Sequence, residues 1–189
     1  MTKNNPLREK ILNAARKRMV KFGYRKVTMD EIASDLHMSK NTIYKIFSGK
    51  ESIAQALIKG LQQQLNTQLD NIGKADKAPL RVFSDSVSLL RKELGPWFEL
   101  FFREIPTELP SLWEEFLQFR NEKILDIRLL IEKGSKKGAF RRVNPAIATE
   151  AYLGALKAVT NPRFLEEEHL SFEQALDAML DIWSNGLAP

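Results

Sequence analysis

From Pro6 to Ser184 the apolar residues return every three or four positions, and no stretch alternates with the period of two that a half-buried strand requires. Such a chain can bury its apolar stripes only by packing helix on helix, so the expected fold class is all-α. Breakers and caps set the segments. Asn5 is placed to cap a helix begun by Pro6 and closed by Gly23, with Ile11, Ala15, Met19 and Phe22 as its inward stripe. Thr28 and Glu31 have capping-box spacing for a second helix reaching about Leu36, and a third covers about Ser39 to Phe47. Ser48 and Glu51 repeat that spacing and open a long fourth helix to about Ile72. After a polar loop at 73–79, Pro79 to Leu94 reads as a helix stopped by Gly95-Pro96, and an aromatic-rich helix follows from Trp97 to about Ile105. A long helix spans roughly Ser111 to Lys137, and two more cover about Pro145 to Val159 and Ser171 to Ser184. The expected organisation is a three-helix domain over residues 1–50 joined through the fourth helix to a helical bundle over 51–189.

Charge is distributed unevenly over these segments. Residues 1–60 hold thirteen Lys and Arg against five Asp and Glu, whereas the remainder holds sixteen against nineteen. A basic segment on a mildly acidic body is the footprint of a polyanion-binding module, or else a solvated basic helix. An architectural DNA binder would need basicity along much of the chain, which the acidic remainder opposes. The chain has no cysteine, so thiolate chemistry and disulfides are excluded. No apolar run approaches the roughly 18 residues of a membrane span, and MTKNNPLREK enters charge without an apolar signal region. The expectation is a cytoplasmic protein with no membrane partner.

The third helix has two unlike sides. On a wheel of about 100° per residue, Ser39, Ile46 and Phe47 fall with Ile43, while Asn41 and Lys45 point away, flanked by Thr42 and Tyr44. Amide and ammonium groups on such a free face can hydrogen-bond base edges in a major groove, and hydroxyls can reach phosphates. Lys40, near the helix start, has the reach to join them.

At this point a resemblance enters. Residues 11–57, with Ala14-Ala15, Gly23-Tyr24, Thr28, Ile32-Ala33, Ser39-Lys40, Thr42, Tyr44, Phe47 and Lys50, resemble the N-terminal signature of the TetR family of bacterial transcriptional regulators. The resemblance implies a homodimer that binds a palindromic double-stranded operator, most often as a repressor, with a variable C-terminal bundle that dimerises and binds an inducer. It implies base-edge or groove contacts from Lys40, Asn41, Tyr44 and Lys45, and phosphate contacts from Thr28, Ser39, Thr42 and Lys50. Capping alone would account for Thr28 and Ser39, and a solvated first-turn position for Lys50. His37 stands where the family commonly has Gly in the turn before the third helix, Arg18 where it often has Leu and Met19 where it often has Phe, so the turn and the packing of the first helix should be individual.

Beyond about Ala56 only residue chemistry speaks. Seven of the seventeen aromatic residues lie between positions 97 and 119, and Trp97, Phe98, Phe101, Trp113, Phe116 and Phe119 can line a cavity for a small apolar effector or pack as plain core. Ala148, Ala151, Ala155 and Ala158 form a small-residue stripe, and Phe172, Leu176, Met179, Leu180 and Trp183 an apolar one. Together they suit either a dimer interface or an internal helix pair. An enzyme is disfavoured. The chain has two histidines, His37 and His169, far apart in sequence, and its one Glu-x-x-His spacing (Glu166 to His169) lies in an acidic run. No phosphate-cradling glycine loop occurs, so no cofactor and no metal are expected. The alternative reading is a ligand-independent helix-turn-helix protein or an activator.

Overall fold

The computed structural model describes residues 5–98 and 102–187. Ten helices appear among them and no strand: α1 (Pro6–Phe22), α2 (Met29–Asp35), α3 (Lys40–Tyr44), α4 (Lys50–Lys74), α5 (Pro79–Trp97), α6 (Arg103–Glu108), α7 (Pro110–Lys136), α8 (Pro145–Val159), α9 (Pro162–Glu167) and α10 (Phe172–Leu187). The fold is all-α, as the periodicity requires.

Three helices begin with the same two residues. Asn5-Pro6, Asn144-Pro145 and Asn161-Pro162 each place an Asn oxygen on a first-turn N–H, at 3.1 Å from Leu7 N, 3.0 Å from Ala146 N and 2.9 Å from Arg163 N. The proline supplies a helical φ where no backbone donor is needed. The third pair starts α9, a helix the sequence reading passed over although the Asn-Pro signal was the same.

Two other expectations are corrected. Gly95-Pro96 does not end α5, which runs on to Trp97. The Glu173 carboxylate of α10 lies against Gly95, in the space a Cβ would take. The Pro96 ring is absorbed within α5, and the wider, π-type geometry at Phe98 follows directly. At the start of α4, Ser48 and Glu51 do not form a capping box. Instead Gly49 N donates to Ser52 Oγ at 3.2 Å and Ser52 Oγ donates to Gly49 O at 2.8 Å, closing the turn one residue later.

The chain divides into two compact units that do not follow a single cut. The first comprises residues 1–63 and 96–116, the second 64–95 and 117–189, so the unit carrying α1–α3 extends well past residue 50 and also takes in α6. In the first unit Ile11, Met19, Ile32, Ile43, Ile53 and Ile58 are fully buried. In the second, Phe83, Val87, Tyr152 and Met179 form the core, with Ile127, Leu130, Leu156 and Trp183 packed against it.

Candidate nucleic-acid interface

The first unit is clamped by charged groups around a small apolar centre. α1 buries Ile11, Leu12, Ala15 and Met19, while Phe22, expected on that stripe, is 44 % exposed beneath the Lys21 ammonium. The reason is the helix end. Gly23, at φ +84°, turns the chain there, and a Cβ at that position would meet the Glu104 carboxylate of α6 at 2.5 Å. Glu104 accepts from Arg25 N at 2.6 Å, and Glu108 accepts from the Arg25 guanidinium at 2.6 Å. Arg18, where the family often has Leu, leaves the apolar stripe to hold Asp35 at 2.7 Å and Glu31 at 3.2 Å, tying α1 to α2.

Thr28 is the N-cap of α2 in a closed capping box. Its hydroxyl accepts from Glu31 N, and Glu31 accepts from Thr28 N at 2.8 Å. Those bonds from Thr28, helped by Arg18, hold the Glu31 carboxyl below its ordinary range, and the Arg18 bond does the same for Asp35. After α2 the chain reverses at His37 with φ +51°, the left-handed backbone for which glycine is the usual choice. The altered side chain leaves the turn geometry intact: Met38 N still donates to Ala33 O at 3.0 Å. Ser39 then caps α3, accepting from Thr42 N at 3.2 Å with the two hydroxyls 2.9 Å apart.

On α3, Ile43 is fully buried and Phe47, just beyond the helix, is 5 % exposed, with the Arg8 guanidinium over its ring. That anchor presents Lys40, Asn41, Tyr44 and Lys45 outward, all exposed. Asn41 and Lys45 have no side-chain partner among the described residues. Lys40 is paired with Asp30 at 2.8 Å, an exposed pair that a phosphate or base could replace at small cost. Thr28 and Ser39 are thus caps with exposed side chains, and Thr42 is half-buried on Ser39.

Lys50 has partners within the chain. Its ammonium donates to Tyr24 O at 2.9 Å and Arg25 O at 3.4 Å and lies 4.2 Å from the centre of the Tyr24 ring. Burial lowers its pKa. This lysine staples α4 to the turn after α1, a contact visible only once positions 24 and 50 are adjacent in space.

The aromatic cluster packs on itself where it is described. Phe102, Trp113 and Phe116 form a stack with ring centres 4.8 to 6.1 Å apart, Trp97 is 2 % exposed beneath the Arg16 guanidinium, Phe98 is half-buried, and Phe119 lies beside Lys123. Phe101 lies outside the described residues. None of the described rings lines the cavity of about 540 Å³ in the second unit, whose walls come from the end of α4, from α5, α7 and Tyr152 of α8.

The expected interface residues also divide. Ala148, Phe172, Leu176 and Met179 are at most 9 % exposed within one chain, Ala155, Leu180 and Trp183 are half-buried against the same core, and Ala151 and Ala158 are exposed. The bulky Tyr152 turns its side of α8 inward, and the outward face is rotated to Ile147, Ala151, Gly154 and Ala158. α10, packed on α8, presents Ala178 and Ile182. Ile147 and Ile182 are 69 % and 68 % exposed.

Comparison with known proteins agrees with this architecture. Residues 11–57 match the family described as bacterial regulatory proteins, tetR family. The uncharacterized HTH-type transcriptional regulator YvaF of Bacillus subtilis is 22 % identical over 166 residues, covering 85 % of each chain. Among solved structures, a transcriptional regulator from Cytophaga hutchinsonii superposes with a TM-score of 0.76 at 23 % identity over 98 % of this chain and all of the other. The protein of a SmeT–triclosan complex does so with a TM-score of 0.70 at 15 % identity over 98 % and 93 %. The two superpositions speak for the fold, and residues 11–57, the segment that builds α3, match the tetR family of bacterial regulatory proteins, so the chain is similar to TetR-family transcriptional regulators in both.

Proposed function

We propose that the protein is a cytoplasmic repressor that binds a palindromic operator as a homodimer and releases it when a small, largely apolar molecule enters the second unit. One observation carries the DNA-reading part: a fully buried Ile43 holds α3 so that Asn41, Tyr44 and Lys45 are exposed together on one side. An Asn amide matches adenine, a Lys ammonium matches guanine, and the Tyr ring offers a thymine-methyl contact with a hydroxyl for phosphate. Lys40 joins them on exchange of Asp30, while Thr28 at the start of α2 and Ser39 and Thr42 at the start of α3 supply exposed or half-exposed hydroxyls.

Homodimerisation is supported by the exposed aliphatic stripe on α8 and α10, because two isoleucines more than two-thirds exposed beside small residues are poorly accounted for in a solitary chain. Release by a ligand is supported by the 540 Å³ cavity, a size suited to a drug-like molecule. The SmeT–triclosan complex adds a fold relative with a small apolar molecule bound. The chain passes from one unit to the other within α4, α5 and α7, and α4 and α5 both contribute to the cavity walls. A ligand that favours a conformer with misplaced reading helices lowers operator affinity by that preference, typically about 1–3 kcal/mol.

The test is selection of a random duplex library on the purified protein at about 0.15 M salt, followed by the mass of the bound complex. An enriched inverted repeat carrying an even number of protomers is expected. No enrichment, even after unfolding and refolding to remove bound small molecules, overturns the operator reading. Transcription in vitro from a promoter overlapping the selected repeat then decides the sign, because a repressor lowers the transcript and an activator raises it.

A further inference from the structure

The cavity in the second unit combines three features, and the inference drawn from them rests on the reading that a small molecule binds there. Its walls are apolar, formed chiefly by Val82, Phe83, Val87, Ile127 and Leu130. Tyr152, 2 % exposed, lines the same space. Its ring is fixed by edge contacts with Phe83 at 5.6 Å and Trp183 at 5.5 Å, yet its hydroxyl has no hydrogen-bond partner among the described residues. Burial pushes its pKa up to about 12, so the hydroxyl stays protonated and can donate into the cavity that Tyr152 lines. Lysines surround the space: Lys74 and Lys77 at the loop between α4 and α5, and Lys123, Lys133 and Lys137 along α7 and just beyond it, against Asp70, Asp76 and Asp126. Lys77 is held by Asp85 at 2.7 Å and Lys123 by Asp126 at 3.4 Å, whereas Lys74, Lys133 and Lys137 carry no ion pair among the described residues.

We infer that this cavity takes an anionic amphiphile, with its apolar body against Phe83, Val87, Ile127 and Leu130 and a carboxylate or phosphate head among Lys74, Lys133 and Lys137. A neutral apolar molecule would satisfy the walls and leave the three ammonium groups unanswered.

Dodecanoate, dodecyl phosphate and dodecanol, each below its aggregation concentration, separate the possibilities by calorimetric titration of the full-length protein and by displacement of the selected operator. The anions should bind about tenfold or more tightly than the alcohol, a preference that shrinks as salt screens the mouth. The better of the two heads identifies the source. The double variant Lys133→Gln/Lys137→Gln, at exposed positions, should remove most of that preference without changing dodecanol binding. Equal binding of all three probes, indifferent to salt and to the lysine variant, overturns the anionic assignment and leaves ligand release standing. Binding by none of them also overturns it. The underlying reading has its own test: if Val87→Trp, which fills the cavity, leaves operator affinity and its response to every probe as in the parent, the cavity is not the regulatory site.

Discussion

The two units use polar and apolar groups in opposite places. In the first, the apolar centre is sealed and the charged groups are outside, where they clamp: Arg18 on Asp35 and Glu31, Arg25 on Glu104 and Glu108, Lys50 on two carbonyls. The reading face is the part of that surface where Asn41 and Lys45 were left unclamped. In the second unit, two isoleucines stand outside and the Tyr152 ring stands inside, against a cavity. The proposed nucleic-acid face has polar groups with replaceable partners, whereas the proposed self-association surface is marked by aliphatic groups left in water.

The sharpest way to break this contrast is to make one substitution in both units. Ile43→Ala should cost about 2–5 kcal/mol of stability, measured by denaturant unfolding, and abolish operator binding, because Ile43 is fully buried under the reading face. Ile182→Ala, at a residue 68 % exposed, should change protomer stability by no more than about 0.5 kcal/mol yet weaken self-association, measured by sedimentation. A large stability loss from the second would end the claim that Ile182 faces outward to a partner. Next in size, Lys45→Ala should reduce discrimination at one base step by about 1–3 kcal/mol in competition binding. Equal loss on specific and random duplexes would remove Lys45 from base reading.

Lys50→Ala should cost about 1–2 kcal/mol of stability, since a charged donor to two carbonyls is deleted at a half-buried site. A slope of affinity against salt that drops by about one with stability unchanged would assign Lys50 to phosphate binding. The smallest expected effect is in pH. Glu31 and Asp35 have lowered pKa values in the folded chain, so their contribution is present above the unfolded carboxylate range near pH 4 and is lost as pH falls through the folded values. Glu31→Gln should therefore flatten the acid limb of a stability profile, and an unchanged limb would show that the capping box contributes little.

Local signals carried the first unit. Asn5-Pro6, the Thr28 and Glu31 pair, the Ser39 cap and the one-sided burial of α3 are all relations between residues within one or two helical turns, which is the range over which backbone hydrogen bonding is decided. Local signals failed where a distant residue took over. Gly95-Pro96 reads as a stop, but Glu173 fills the space the glycine leaves and α5 continues. The four alanines of α8 could not reveal their inward side, because side chains so small pack either way; Tyr152, meeting Phe83 and Trp183, set the rotation. Ser48 and Glu51 had the right spacing for a cap and were bypassed by Ser52.

The sequence by itself determined that the chain is all-α, where most helices begin, and that one short basic helix presents amide, phenol and ammonium groups on one side, since helical period, caps and sign of charge are properties of neighbouring residues. Tertiary structure alone decided that Lys50 is a staple, that the aromatic cluster packs on itself, that a different set of residues lines the cavity, and which strip of α8 and α10 is left bare. Each of those depends on which residues far apart in the chain meet, because burial is a property of the packed fold and of no segment within it.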